Sequence, residues 1–91
     1  MPNLDSRPQT AAGVLGRDLT DEYLFYDPNT EQVHVLNATA REIYLLCNGR
    51  TSVLEIARAL VERYGVDEAL ARRDVERTVD RLIELGLVGT N

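Results

Sequence analysis

Residues 31–49, EQVHVLNATAREIYLLCNG, change period in the middle. Gln32 to Leu36 alternate as a strand does, with side chains two apart sharing a face. From Asn37 onward Ala40, Ile43, Tyr44 and Cys47 recur at i, i+3, i+4 and i+7, the spacing of one helical face. No linker separates the two patterns. Asn37 suits a helix N-cap, because its side chain accepts from the free amides of the opening turn. A strand joined this way must stop at Leu36. It needs a neighbour on at least one edge, since a lone strand is not stable in water. What its other edge pairs with is the question the segment poses.

The first neighbour is legible. Residues 22–27, EYLFYD, hold Tyr23, Phe25 and Tyr26, which favour strands. Residues 27–30, DPNT, read as a turn, with Asp opening it and Pro fixing φ at the second position. Together with 32–36 they form a hairpin. Residues 14–19, VLGRDL, are expected as a further strand, weakened by Gly16. Residues 1–12 contain two prolines and no periodicity, and are expected as a flexible arm ahead of one domain over 13–91.

Three helices follow. Asn48-Gly49 is expected to end the first, with Gly49 in the left-handed region. Ser52 and Glu55 form a capping box for the second, whose face is Val53, Ile56, Ala57, Leu60 and Tyr64, stopped by Gly65. Asp67 caps the third, which runs to about Leu85. Its stripe is Ala71, Val75, Val79 and Leu82, with Leu70 and Ile83 alongside. Gly86 ends it, and Leu87-Val88 pack back on the body. Strands first and helices after predict an α+β fold, winged-helix-like, with a three-stranded antiparallel sheet followed by three helices.

Charge narrows the function. The net charge is −5, and all ten basic residues are Arg. Residues 1–36 carry six acids and two arginines; 37–91 carry nine acids and eight arginines. Nucleic acid is a poor partner for such a chain, because phosphate binding needs a basic field. No apolar run approaches the ~20 residues that cross a bilayer, so no membrane role is expected. The N-terminus lacks the basic start and apolar stretch of a signal peptide. With Cys47 as the only cysteine, a cytoplasmic location is expected.

Catalysis has little to stand on. His34, the one histidine, reads as a strand residue facing opposite to Val33 and Val35. Cys47 lies on an apolar helical face, where a thiol is structural, since reactive thiols need an electropositive, partly exposed setting. No zinc-ligand cluster, glycine-rich phosphate loop or GxSxG motif is present. No enzyme, metal or cofactor is expected. Arg73, Arg77 and Arg81, at i, i+4 and i+8, make one stripe on the last helix. They either pair with Asp74, Glu76, Asp80 and Glu84, or form a rail for an acidic peptide. The free edge of the 32–36 strand is either protected, by the arm or a neighbouring subunit, or filled by a strand from another chain.

At this point the run FYDPNTEQVHVLNATAREIYLLCNGRTSVLEIARALVERYGV, with DVERTVDRLIELGLV after it, resembles the PqqD-like family. That family comprises the pyrroloquinoline-quinone biosynthesis protein D and the RiPP precursor peptide recognition elements (RREs). The resemblance covers about residues 13–88. It implies three strands then three helices, no catalysis, and capture of the leader of a ribosomally synthesised precursor peptide. The leader adds as an antiparallel strand in a groove walled by the last helix. Carried onto this chain, the groove uses Gln32, Val33, His34, Val35 and Leu36, and the wall uses Asp74, Arg77, Thr78 and Arg81 with Leu82 at its base. Val33 and Val35 are expected to pack on the core or on leader side chains, and Arg77 and Arg81 to meet leader carboxylates. The turn DPNTEQ departs from the proline-glutamate-arginine type of the quinone pathway. It implies an element of another pathway, serving a radical S-adenosylmethionine enzyme or a leader peptidase and cyclase. The rival reading is a winged-helix DNA-binding regulator. It needs a basic recognition helix, whereas 67–85 hold four arginines and six acids. A third reading is a homodimer in which the edge strand pairs with its own copy.

Overall fold

The computed structural model describes residues 3–28 and 30–90. Its elements are β1 (Gln9–Thr10), β2 (Leu15–Asp18), β3 (Tyr23–Asp27), β4 (Gln32–Leu36), α1 (Ala38–Leu45), α2 (Val53–Tyr64), α3 (Glu68–Glu84) and β5 (Val88–Gly89). β2, β3 and β4 form an antiparallel sheet in that order, and the three helices follow it. Of the expected turn at 27–30, Asn29 lies outside the described residues; so do Met1, Pro2 and Asn91 of the expected arm and domain.

The sheet is held to the helices by an aromatic cluster. The rings of Tyr23 and Phe25 stack at 4.6 Å between centroids, and Tyr44 of α1 meets Phe25 edge-on at 4.9 Å. Gly16, which weakens β2 as a sequence, is what lets the cluster form. A Cβ there would lie 2.5 Å from Tyr23 Cε1 and 3.1 Å from Phe25 Cε1. Below the rings, Ile43, Val53, Ile56, Val75, Val79 and Leu82 are fully buried.

Local chemistry sets the helix ends. Asn37 Oδ1 accepts from the Ala40 amide at 2.9 Å, so β4 runs straight into α1. Ser52 and Glu55 complete their capping box at 3.1 and 2.9 Å. Gly65 caps α2 at φ 66°. α3 closes in a Schellman motif: the Leu87 amide donates to Leu82 O and the Gly86 amide to Ile83 O. That turn sends Leu87 and Val88 back into the core, where both are buried.

Three sequence expectations need correction. Residues 3–12 are not a loose arm. The Val53 and Leu54 amides donate to Ser6 and Leu4 carbonyls, Gly49 N donates to Pro8 O, and β1 pairs with β5. Proline lacks a donor but keeps its carbonyl acceptor, and Pro8 is fully buried. α1 ends at Leu45 on a right-handed cap, Leu46; Gly49 takes φ 78° later, in the loop where the strap crosses. Tyr64 is half exposed rather than buried, because α2 ends there. Its ring lies beneath the Arg63 guanidinium, 5.8 Å from the centroid.

One ion pair ties the sheet to α1. Arg41 grips Asp18 through Nε–Oδ1 and Nη2–Oδ2, both 2.7 Å. The Arg41 fork, with the Thr20 amide, lowers the Asp18 carboxyl from 3.8 to about 2. Asp18 therefore stays ionised when folded down to about pH 2, while the unfolded chain takes up a proton near 3.8. The stability it adds is complete above about pH 4 and is lost as pH falls through 2. In acid-unfolding curves Asp18→Asn should remove this part of the slope between pH 4 and 2; an unchanged slope would refute the pairing.

Candidate functional site

β4 pairs with β3 along its whole length: Gln32 with Asp27, Val33 with Tyr26, His34 with Phe25, Val35 with Leu24 and Leu36 with Tyr23. Its other edge has no strand partner among the described residues. The arm does not cover it, since β1 is spent on β5 at the helical end.

The same register settles which face of β4 looks inward. Phe25 is 1% exposed, so His34 opposite it faces the helices, as does Leu36 at 6%. Val33 and Val35 face outward, 56% and 54% exposed. Of the two packings expected for them, the core is ruled out. Valine in a strand suggests burial by its chemistry, but the pairing with Tyr26 and Leu24 turns both away from Phe25.

α3 carries the other expected site residues. Its buried stripe is Ala71, Val75, Val79 and Leu82. At about 100° per residue, Thr78, Asp74, Arg81 and Arg77 lie successively further round one flank. The first two are half-buried and the arginines exposed. Leu85 follows on that flank, and it lines a cavity of about 250 Å³ with Phe25, His34 and Pro28. The C-terminal end of α3 is therefore what meets the sheet across this cavity. Glu68, at the start of α3, is bonded to Arg58 of α2 at 3.2 Å. α1 packs against both β4 and α3 and bridges them. Of the expected site residues, His34 lines this cavity, Leu82 is buried in the core, and Asp74, Thr78, Arg77 and Arg81 lie on one flank of α3.

No ion pair joins Arg73, Arg77 or Arg81 to Asp74, Glu76, Asp80 or Glu84 among the described residues. The stripe is thus available to an outside acid. Cys47 is chemically quiet: its Sγ donates to Ile43 O at 3.2 Å, and burial pushes the thiol up to about 12. The sequence reading missed Leu85 and Phe25 as cavity walls, although the alternation of Tyr23, Phe25 and Asp27 marks the inward face of β3.

The family model of coenzyme PQQ synthesis protein D (PqqD) matches residues 22–88, from β3 to the start of β5. The chain belongs to the PqqD family. All the expected site residues lie inside the matched segment. Solved structures carry the same fold. TbiB1 in complex with the TbiA(beta) leader peptide is 22% identical at a TM-score of 0.77, over 88% of this chain and 93% of that one. Lasso peptide synthetase B1 complexed with the leader peptide is 22% identical at 0.79, over 91% and 98%. The PqqD truncation of Methylobacterium extorquens PqqCD, described as a functional and stand-alone RiPP recognition element, is 23% identical at 0.70, over 90% and 87%. No curated protein sequence matches the chain.

Proposed function

We propose that this PqqD-family chain is a non-catalytic adaptor. It captures the leader of a ribosomally synthesised precursor peptide on the free edge of β4 and presents it to a modifying enzyme. The observation that carries this reading is that edge: five residues of uninterrupted strand, without a strand partner among the described residues, in a chain whose last helix carries two unengaged arginines. An added strand satisfies the outward N–H and C=O groups, and the side chains around it supply selectivity. The two neighbours solved with a leader peptide support the same assignment.

The leader would lie antiparallel to Gln32–Leu36. Its inward side chains would meet His34, Thr78 and Asp74 above Leu82, and its carboxylates Arg77 and Arg81. The enzyme it serves is a radical S-adenosylmethionine enzyme or a leader peptidase and cyclase, in the cytoplasm.

The test is titration of the labelled chain with the leader of the precursor encoded beside it, read by amide NMR shifts. Shifts should concentrate at residues 32–36 and along the Asp74–Arg81 flank. A bound leader that leaves β4 unshifted would refute strand addition.

A further inference from the structure

The β-ladder aligns Leu15, Tyr26 and Val33 in one row across the outward face, and Arg17, Leu24 and Val35 in the next. Leu15, Tyr26, Val33 and Val35 are each 42–56% exposed. Scattered apolar side chains on a surface are ordinary. Two adjoining rows, with Arg17 their one charge, form a contiguous patch, and such patches mark contacts. Both rows end at β4, on the edge already assigned to the leader.

We propose that Val33 and Val35 read two leader positions on this outward face. The leader recognised here is then one with apolar side chains two residues apart at those positions. The inference rests on strand addition at β4 and adds a second selectivity surface to the proposed groove. A strand antiparallel to β4 places residue n opposite Val35, n+1 opposite His34 and n+2 opposite Val33. Residue n+1 points inward to the α3 flank. Residues n and n+2 continue the two rows as fourth members. Opposed side chains on one sheet face have Cβ atoms about 4.5–5.5 Å apart, close enough for β-branched and aromatic groups to pack. A charged residue at n or n+2 would lose hydration against a valine with no counter-charge in its row position. The groove therefore selects one side of the leader and the two valines select the other.

The experiment is selection of a random-sequence peptide library on the chain and on a Val33→Glu, Val35→Glu variant. Both positions are more than half exposed, so the variant should keep its circular dichroism spectrum. Peptides selected on the unaltered chain should carry Val, Ile, Tyr or Phe at n and n+2, and should bind the variant about two- to thirtyfold more weakly. Peptides selected on the variant should carry Lys or Arg there. Each peptide's register is fixed by its amide shifts in β4. Binders that shift β4 yet show no preference at n and n+2, or the same preference on both proteins, would overturn the valine reading and leave strand addition standing. Binders that never shift β4 would overturn both.

Discussion

Phe25→Ala should lower the melting temperature by about 15–30 °C. The ring is 1% exposed, stacks on Tyr23 at 4.6 Å and meets Tyr44 at 4.9 Å. Truncating a buried Phe costs about 3–5 kcal/mol, because the hole only partly closes. In a domain of this length each kcal/mol moves the midpoint by about 4–8 °C. A small domain holds only about 5–15 kcal/mol in all, so the variant should sit near the edge of unfolding at 37 °C. Thermal melts and urea midpoints measure this. A loss under about 1 kcal/mol would mean that Phe25 is not the post joining sheet to helices. The same truncation should also loosen β4, since Phe25 is what His34 is paired with.

The second large effect is functional. Arg77→Glu with Arg81→Glu should weaken an acidic leader roughly tenfold at low salt, with the melting temperature lowered by only a few degrees. Both side chains are exposed and make no ion pair among the described residues, so the fold loses only the favourable charge of Arg81 in the last turn of α3. An exposed charge contact is worth about 0.2–1 kcal/mol. Reversal replaces two attractions by two repulsions, which brings the total to about 1–3 kcal/mol. The gap should shrink as salt rises, because the screening length falls from about 10 Å at 0.1 M to 3 Å at 1 M. Isothermal titration at two salt concentrations reads both quantities. Equal affinities would remove the arginine rail and leave strand addition intact.

Where sequence reading succeeded, the information was local. Asn37, Ser52, Asp67 and Gly65 act on their own turns, so the ends they mark are where the chain puts them. The hairpin was legible for the same reason, and the PqqD-like resemblance implied the order of three strands and then three helices. What failed depended on partners distant in sequence. Val33 and Val35 look like core residues until Phe25 is paired with His34. Gly16 looks like a flaw until the Tyr23 ring lies over it. The strap at 3–12 looks loose because its partners, Gly49, Val53, Leu54 and Val88, lie some forty to eighty residues away. The unpaired state of Arg77 and Arg81 was also out of reach, since acids at helical spacing on both sides allow pairing and only geometry decides it.

The pairing of Gln9–Thr10 with Val88–Gly89 has a kinetic consequence. It joins residues about eighty positions apart in sequence, so it carries the closure entropy of a long loop. Two residues of ladder return little for that cost until the helices have already brought the ends together. The hairpin and the capped helices, all short-range, can form first, and the strap then locks down over α2 as the final step. Opening should follow the reverse order. Breathing at the ends would release the strap from the helical pole before it disturbs β4, so the docking edge belongs to the part of the molecule that unravels late.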